Sequence, residues 1–314
     1  MENKNTQDYF DEFILYKHSL GYVYDTQEHY LKRYIGFEKS SEFTAVLRKE
    51  TVESYLSTLV NYPGTLYGTV SALREFAHYL RKQGIDAYII PAKTVSQPTP
   101  APPYFFTEEE LICFFASVDS VEPSAGYIGR EIILPAFFRL MYCCGLRCKE
   151  ARMLRCEDIS LKERRLDILQ SKGPKSRRLY ISNDLGDYLE RYDAEIELSY
   201  PGREYFFPGQ RNPYVGEGFV CGNFRRFWKQ AFPDFSGDVY PRPYDLRHHF
   251  AWANINRWAS EGIDANVMLP YLMRYMGHQT VKQTLYYFHF VPDFYPTYRE
   301  MAQPSDDILP GVPE

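Results

Sequence analysis

Three short segments of this chain concentrate arginine, histidine and tyrosine, residue types that can hold an anion and supply a nucleophile. Residues 271–289 read YLMRYMGHQTVKQTLYYFH, in which a Gly-His pair, Gly277 and His278, is followed nine positions after the histidine by Tyr287 and two later by His289. Upstream, GLRCKE (145–150) carries Arg147 and Glu150, and YDLRHHFA (244–251) carries Tyr244, Arg247 and His248. Breaking a phosphodiester without a metal requires an in-line nucleophile, fixed donors for the charge gathering on the phosphate oxygens, and a proton for the leaving oxygen. Arginine suits the second need, because a guanidinium is always charged and its planar fork engages two oxygens together. Tyrosine suits the first only with help, since a phenol of pKa about 10 is a weak nucleophile until its proton is removed. One tyrosine among 28 means little, and a lone arginine is more often an ion-pair residue. The ordered set of segments carries the information.

That order of arginine, arginine, histidine and tyrosine resembles the tyrosine recombinase, or phage integrase, family, which cuts and rejoins DNA through a covalent phosphotyrosine. The resemblance implies Tyr287 as the nucleophile that forms a 3′-phosphotyrosine, with Arg147, Arg247 and His278 serving the phosphate. The spacing from His278 and the following His289 favour Tyr287 over the adjoining Tyr286, which is expected to pack on another side of the same helix. Lys172 stands just before the turn glycine Gly173 in QSKGPKSRR and matches the family lysine that protonates the leaving 5′ oxygen. Lys175 competes for that role and is otherwise, with Arg177 and Arg178, an expected DNA contact. Glu150 matches the glutamate that orients the first arginine, and its position three residues after Arg147 predicts a shared helical face. Asp158 matches a structural aspartate placed before the hairpin.

One position departs from the pattern. The second arginine box usually opens with histidine, sometimes lysine, and here that residue is Tyr244. A phenol donates to phosphate but accepts a proton less readily than imidazole near neutral pH. His248 then either takes over part of the general-base role or buttresses the helix. The family works on double-stranded DNA as a tetramer, with a C-terminal segment, here roughly 292–301, docking on a neighbour and in some systems with a related partner recombinase. It needs no ATP, no metal and no other cofactor. The resemblance is specific over 106–298 and weaker over 7–90, and no arm-site-binding module is expected ahead of it. Two alternatives stay open: a type IB topoisomerase-like enzyme with the same chemistry, and a DNA-binding accessory or regulatory subunit whose catalysis has decayed.

The elements that must position these residues are mostly helices. Tyr9, Phe10, Phe13, Ile14 and Tyr16 recur at helical spacing, and Asp25 with Glu28 forms a capping box for a helix running to about Phe37. Further helical patterns cover 52–60 and 66–82, the latter after a break at Pro63 and Gly64. The proline-rich stretch VSQPTPAPP (95–103) has no packing face and reads as a linker. Beyond it, Thr107 and Glu110 cap an apolar helix over 106–115, and 132–144 is another, stopped by Gly145. Alternation at Leu166, Ile168, Leu179 and Ile181 around Gly173 and Pro174 predicts a hairpin over 166–181. Helix returns from Phe219. The expected fold is mainly α with a small β-hairpin, in a two-domain DNA clamp: core-binding residues 1–94, linker 95–103, catalytic residues 104–300, and an acidic tail 301–314.

Composition fits that plan. The chain has 314 residues, enough for two domains, with 45% hydrophobic and 25% charged residues, so a folded protein is expected. Its net charge of −5 runs against the usual basic excess of DNA-binding proteins. Charge is uneven, however: residues 139–178 hold twelve basic side chains against five acidic ones. A basic face on an acidic protein is compatible with DNA binding. The six cysteines lack a CxxC pair and zinc-ligand spacing, which predicts reduced, mostly buried thiols. No long apolar run or signal peptide is present, so a cytoplasmic protein, associated with the nucleoid when on DNA, is expected.

Overall fold

The computed structural model describes residues 5–39, 46–99, 101–169 and 176–287. The chain divides into two compact units between Ala101 and Pro102.

The first unit is a helical bundle of α1 (Thr6–Ser19), α2 (Asp25–Lys39), α3 (Lys49–Ser57) and α4 (Pro63–Lys82). Apolar faces meet in a core that includes Phe10, Phe13, Leu31, Tyr34, Val52 and Phe76. Asn5 caps α1, accepting from the backbone of Gln7 and Asp8 while Asp8 reaches back to the Asn5 amide. Two boundary expectations change. Asp25 is the first residue of α2 rather than its cap, so Asp25 and Glu28 act by placing negative charge on the first turn. Pro63 begins α4 instead of preceding it, because a proline at the first helical position gives up an N–H that has no intrahelical partner anyway.

The second unit comprises α5 (Glu108–Asp119), α6 (Arg130–Cys144), α7 (Cys148–Arg152), a 3₁₀ turn (Cys156–Asp158) that holds Asp158, and three short strands: β1 (Ile159–Ser160), β2 (Arg165–Ile168) and β3 (Arg177–Tyr180). Helices α8 (Asn183–Ser199), α9 (Glu217–Ala231), α10 (Pro243–Ser260), α11 (Ala265–Met276) and α12 (Val281–Leu285) follow. Thr107 and Glu110 form the expected reciprocal cap on α5. The hairpin is present as β2 paired antiparallel with β3, Leu166 opposite Leu179 and Ile168 opposite Arg177, with β1 added on the outer side of β2. A main core of aromatics, Phe114, Phe137, Phe138, Phe207, Phe224 and Trp228, lies among α5, α6 and α9. A smaller cluster joins Ala251, Ile255 and Trp258 of α10 with Leu272 and Met276 of α11 and with Tyr287.

Gly145 lets α10 approach α6. It ends α6 in the left-handed region at φ 56°, and a Cβ there would fall 2.5 Å from the Phe250 ring. The cysteines are free, and two of them, Cys113 and Cys143, are exposed while Cys144 is buried, so burial is less general than expected. Among the described residues no helix is long and apolar enough to cross a membrane.

Candidate active site

Helix α11 ends in a Schellman turn: the Gly277 amide donates to Arg274 O and the His278 amide to Met273 O, with Gly277 at φ 65°. That leaves the carbonyls of Tyr275, Met276 and Gly277 without helical donors. Each accepts from a different arginine. Arg177 Nε donates to Tyr275 O at 2.7 Å, Arg247 Nη2 to Met276 O at 2.6 Å, and Arg147 Nη2 to Gly277 O at 2.8 Å. Cations at the negative end of a helix dipole are stabilising, so one helix terminus gathers charge from three distant parts of the chain.

Glu150 ties the same arginines together. It accepts from Arg147 Nη1 at 2.6 Å and from Arg177 Nη1 and Nη2 at 2.9 and 2.7 Å, while Arg247 Nη1 stands 3.9 Å away. Its relation to Arg147 differs from a shared helical face. Arg147 is the N-cap of α7, and Glu150 reaches back to accept the Arg147 amide at 2.9 Å. Burial opposes ionisation of Glu150, but hydrogen bonding and charge from Arg177 and Arg147 outweigh it and lower its pKa to about 2. Arg247 is fully buried on α10 and also donates Nη1 to Gly145 O at 2.6 Å. Desolvation, followed by repulsion from Arg147, lowers its pKa to about 10. Its Nε finds no acceptor among the described residues.

Tyr287 and Tyr286 lie in a 3₁₀ turn that follows α12, not on the helix itself. Tyr287 is 3% exposed and its hydroxyl lies 2.9 Å from Nδ1 of His248; Tyr286 is 40% exposed. Burial raises the pKa of Tyr287 above that of a free phenol, the charge of Arg247 opposing, so the phenol keeps its proton at neutral pH. Burial also lowers the pKa of His248 to about 4, leaving a neutral imidazole. With the phenol protonated, its O–H donates and Nδ1 accepts. Tyr244 is 40% exposed and sets its ring edge-on against His248, centroids 4.8 Å apart. His278 stacks its ring parallel to that of Tyr287, and its Nδ1 lies 2.7 Å from Thr284 Oγ1. Desolvation and the charges of Arg247, Arg147 and Arg177 lower its pKa to about 4.

Arg147, Glu150, Arg247, His278 and Tyr287 are thus brought together, with His248 on the Tyr287 hydroxyl and Tyr244 against the His248 ring. Arg177, expected as a DNA contact, has a side chain 5% exposed, with all three of its nitrogens bonded inside the protein. Arg178 does face solvent, paired with Asp167 at 2.7 Å. Lys172, Lys175, His289 and the 292–301 segment lie outside the described residues. Among the described residues no cluster of histidine, cysteine, aspartate or glutamate has the makings of a metal site.

A mostly helical unit with a short three-stranded sheet, holding a tyrosine against two arginine boxes and a Gly-His turn, is a tyrosine recombinase catalytic unit. Residues 126–292, more than half of the chain, match the phage integrase family, and the chain belongs to it: these are DNA strand transferases. It is 25% identical over 285 residues to a protein of Sinorhizobium fredii NGR234 named as an integrase/recombinase, y4rE, covering 88% of this chain and 89% of that one. It is 28% identical over 268 residues to tyrosine recombinase XerC of Bacillus pumilus, covering 82% and 79%. In fold it is similar to a lambda integrase tetramer bound to a Holliday junction, with TM-score 0.61 and 16% identity over 90% of this chain and 79% of that one.

Proposed function

We propose that this chain is a site-specific recombinase that cuts and rejoins double-stranded DNA through a 3′-phosphotyrosine on Tyr287, in the service of a mobile element. The observation that carries the reading is the charge set around one carboxylate. Among the described residues three guanidinium groups, Arg147, Arg177 and Arg247, gather about the one carboxylate of Glu150, and the positive charge left over stands beside a phenol already bonded to an imidazole. Such a place favours an anion, and a scissile phosphate supplies one.

In the step this supports, Tyr287 Oη bonds to phosphorus as the bond to the 5′ oxygen breaks. The phenolic proton passes to His248 Nδ1, and the 5′ oxygen takes a proton from Lys172. Arg147 and Arg247 hold the non-bridging oxygens, Arg247 Nε being a donor with no acceptor among the described residues, and His278 donates from its remaining nitrogen. The free 5′ hydroxyl of a partner strand then reverses the linkage, so no ATP is consumed. On this reading residues 1–94 grip the duplex as a core-binding domain, residues 104–300 do the chemistry, and strand exchange takes place in a tetramer. A substrate nicked near the cleavage point tests it by trapping the covalent adduct. Tyr287→Phe is expected to abolish the adduct with DNA binding retained; an adduct that survives in Tyr287→Phe and disappears in Tyr286→Phe transfers the nucleophile to Tyr286.

A further inference from the structure

Arg177, its side chain 5% exposed, joins the sheet to the segment of Glu150 and to the end of α11. It belongs to β3, where it occupies the same buried face as Leu179 and sits opposite Ile168 of β2. From there its two Nη atoms grip both oxygens of Glu150, which in turn holds the Arg147 side chain and amide. Its Nε holds Tyr275 O at the end of α11. Its Nη1 lies so close over Gly277 that a Cβ on that residue would stand 2.9 Å away, so the backbone of the Gly-His turn packs directly on the guanidinium. Strands β2 and β3 flank in sequence the 170–175 segment that carries Lys172.

We infer that Arg177 is a positioning residue that fixes the β2–β3 hairpin to the first arginine box and to the Gly-His turn, so that the hairpin, Arg147 and His278 keep one register. The inference rests on the recombinase reading for its catalytic consequence but not for its geometry. A guanidinium suits the task because it makes three directed bonds in one plane; an ammonium makes a point contact and cannot serve Glu150 and Tyr275 O together at these angles. Losing Arg177 removes two of the hydrogen bonds that the buried Glu150 carboxylate accepts, while those from Arg147 stay.

The test compares the full chain with Arg177→Lys and Arg177→Ala, each first checked for cooperative melting. On the nicked substrate at saturating DNA, both variants are expected to cleave about ten- to a hundredfold more slowly, the scale of a charged hydrogen bond lost. The DNA dissociation constant and its dependence on salt should stay as in the parent. Combining Arg177→Ala with Glu150→Gln should cost no more than the worse single change, because both act through one contact. Independently of cleavage, Arg177→Ala is expected to lower the melting temperature above pH 4.5 and to flatten its fall between pH 4.5 and 2, since the folded-state pKa of Glu150 moves back toward its unfolded value and less stability is left for acid to remove. A weaker DNA affinity with a salt slope reduced by about one, at an unchanged saturating rate, would make Arg177 a backbone contact and overturn the inference. If the parent forms no adduct the recombinase reading fails, and the acid-melting profile alone then decides for or against Arg177: an unchanged slope between pH 4.5 and 2 refutes it.

Discussion

Replacing His248 separates a base from a buttress, because the two roles predict losses of different size. Its Nδ1 is 2.9 Å from the Tyr287 hydroxyl, and no other imidazole bonds that hydroxyl among the described residues. His248→Asn keeps a polar atom near the place of Nδ1 but cannot accept a proton; His248→Ala removes both functions. A hydrogen bond between neutral groups is worth about 0.5–1.5 kcal/mol, or about two- to thirteenfold in rate. Removing a general base costs about 10²–10⁴-fold. The groups around the imidazole are Tyr244, Asp245 and Arg247 of α10, Arg242 at its cap, Tyr286 and Tyr287 after α12, and His278. In the free protein burial holds His248 neutral, with a pKa of about 4, so proton uptake from Tyr287 is uphill until the phosphate's negative charge arrives and the forming bond to phosphorus acidifies the phenol. Single-turnover cleavage of a nicked substrate across roughly pH 6–9 is the assay. Asn and Ala variants are both expected to fall by more than about a hundredfold throughout, while Tyr244→Phe, which keeps its ring against His248, retains the parent rate. Recovery to within about tenfold in His248→Asn, with His248→Ala remaining slow, would refute the base and leave His248 a support for the phenol.

Arg147→Ala and Arg247→Ala are each expected to slow cleavage about a hundredfold or more at saturating DNA, as for removal of a preorganised donor; a change in affinity alone would make either arginine a binding contact. Stability should fall with acid in two stages. His248, His249 and His278 have pKa values lowered to about 4 from 6.5, so between those values the unfolded chain binds protons that the folded chain refuses, and stability present above pH 6.5 drains away toward 4. Glu150, lowered to about 2 from 4.5, adds stability that is complete above 4.5 and lost toward 2. Melting temperature against pH reads both stages, and a flat profile between 6.5 and 4 would contradict the first. Gly145→Ala is expected to cost about 2–5 kcal/mol by thermal melting, combining left-handed strain with overpacking on Phe250; a neutral result would mean that α10 shifts freely.

Much of this was readable in the chain because the signals were local. A capping box at Thr107, a helix stop at Gly145 and strand alternation at Leu166, Ile168 and Leu179 each depend on neighbours a few residues away, and each is where the spacing placed it. The assembly of Arg147, Glu150, Arg247, His278 and Tyr287 was readable as an ordered pattern although no local rule joins residues more than a hundred positions apart. What escaped was the use of side chains whose type pointed the wrong way. By residue type Arg177 reads as a DNA contact, yet the alternation marks it as inward: it stands two residues before Leu179 and four before Ile181. Propensity puts arginine outside, and only a buried carboxylate with a helix end beside it reverses that preference.

The same helix end explains why the site is built where it is. An α-helix that terminates in a Schellman turn still presents carbonyls beyond those the turn satisfies, and burying them without donors is costly. At α11 those carbonyls are Tyr275, Met276 and Gly277, and the donors are three arginines from β3, α10 and the start of α7. The arginines gain partners that carry only partial negative charge, and Glu150 neutralises one of the three. Among the described residues these carbonyls are all bonded while the charge is not balanced, so on the proposed reading the guanidinium groups are held in place before a phosphate arrives and favour one when it does. That division between geometry, met by the protein, and charge, left for the ligand, is what preorganisation for phosphoryl transfer requires.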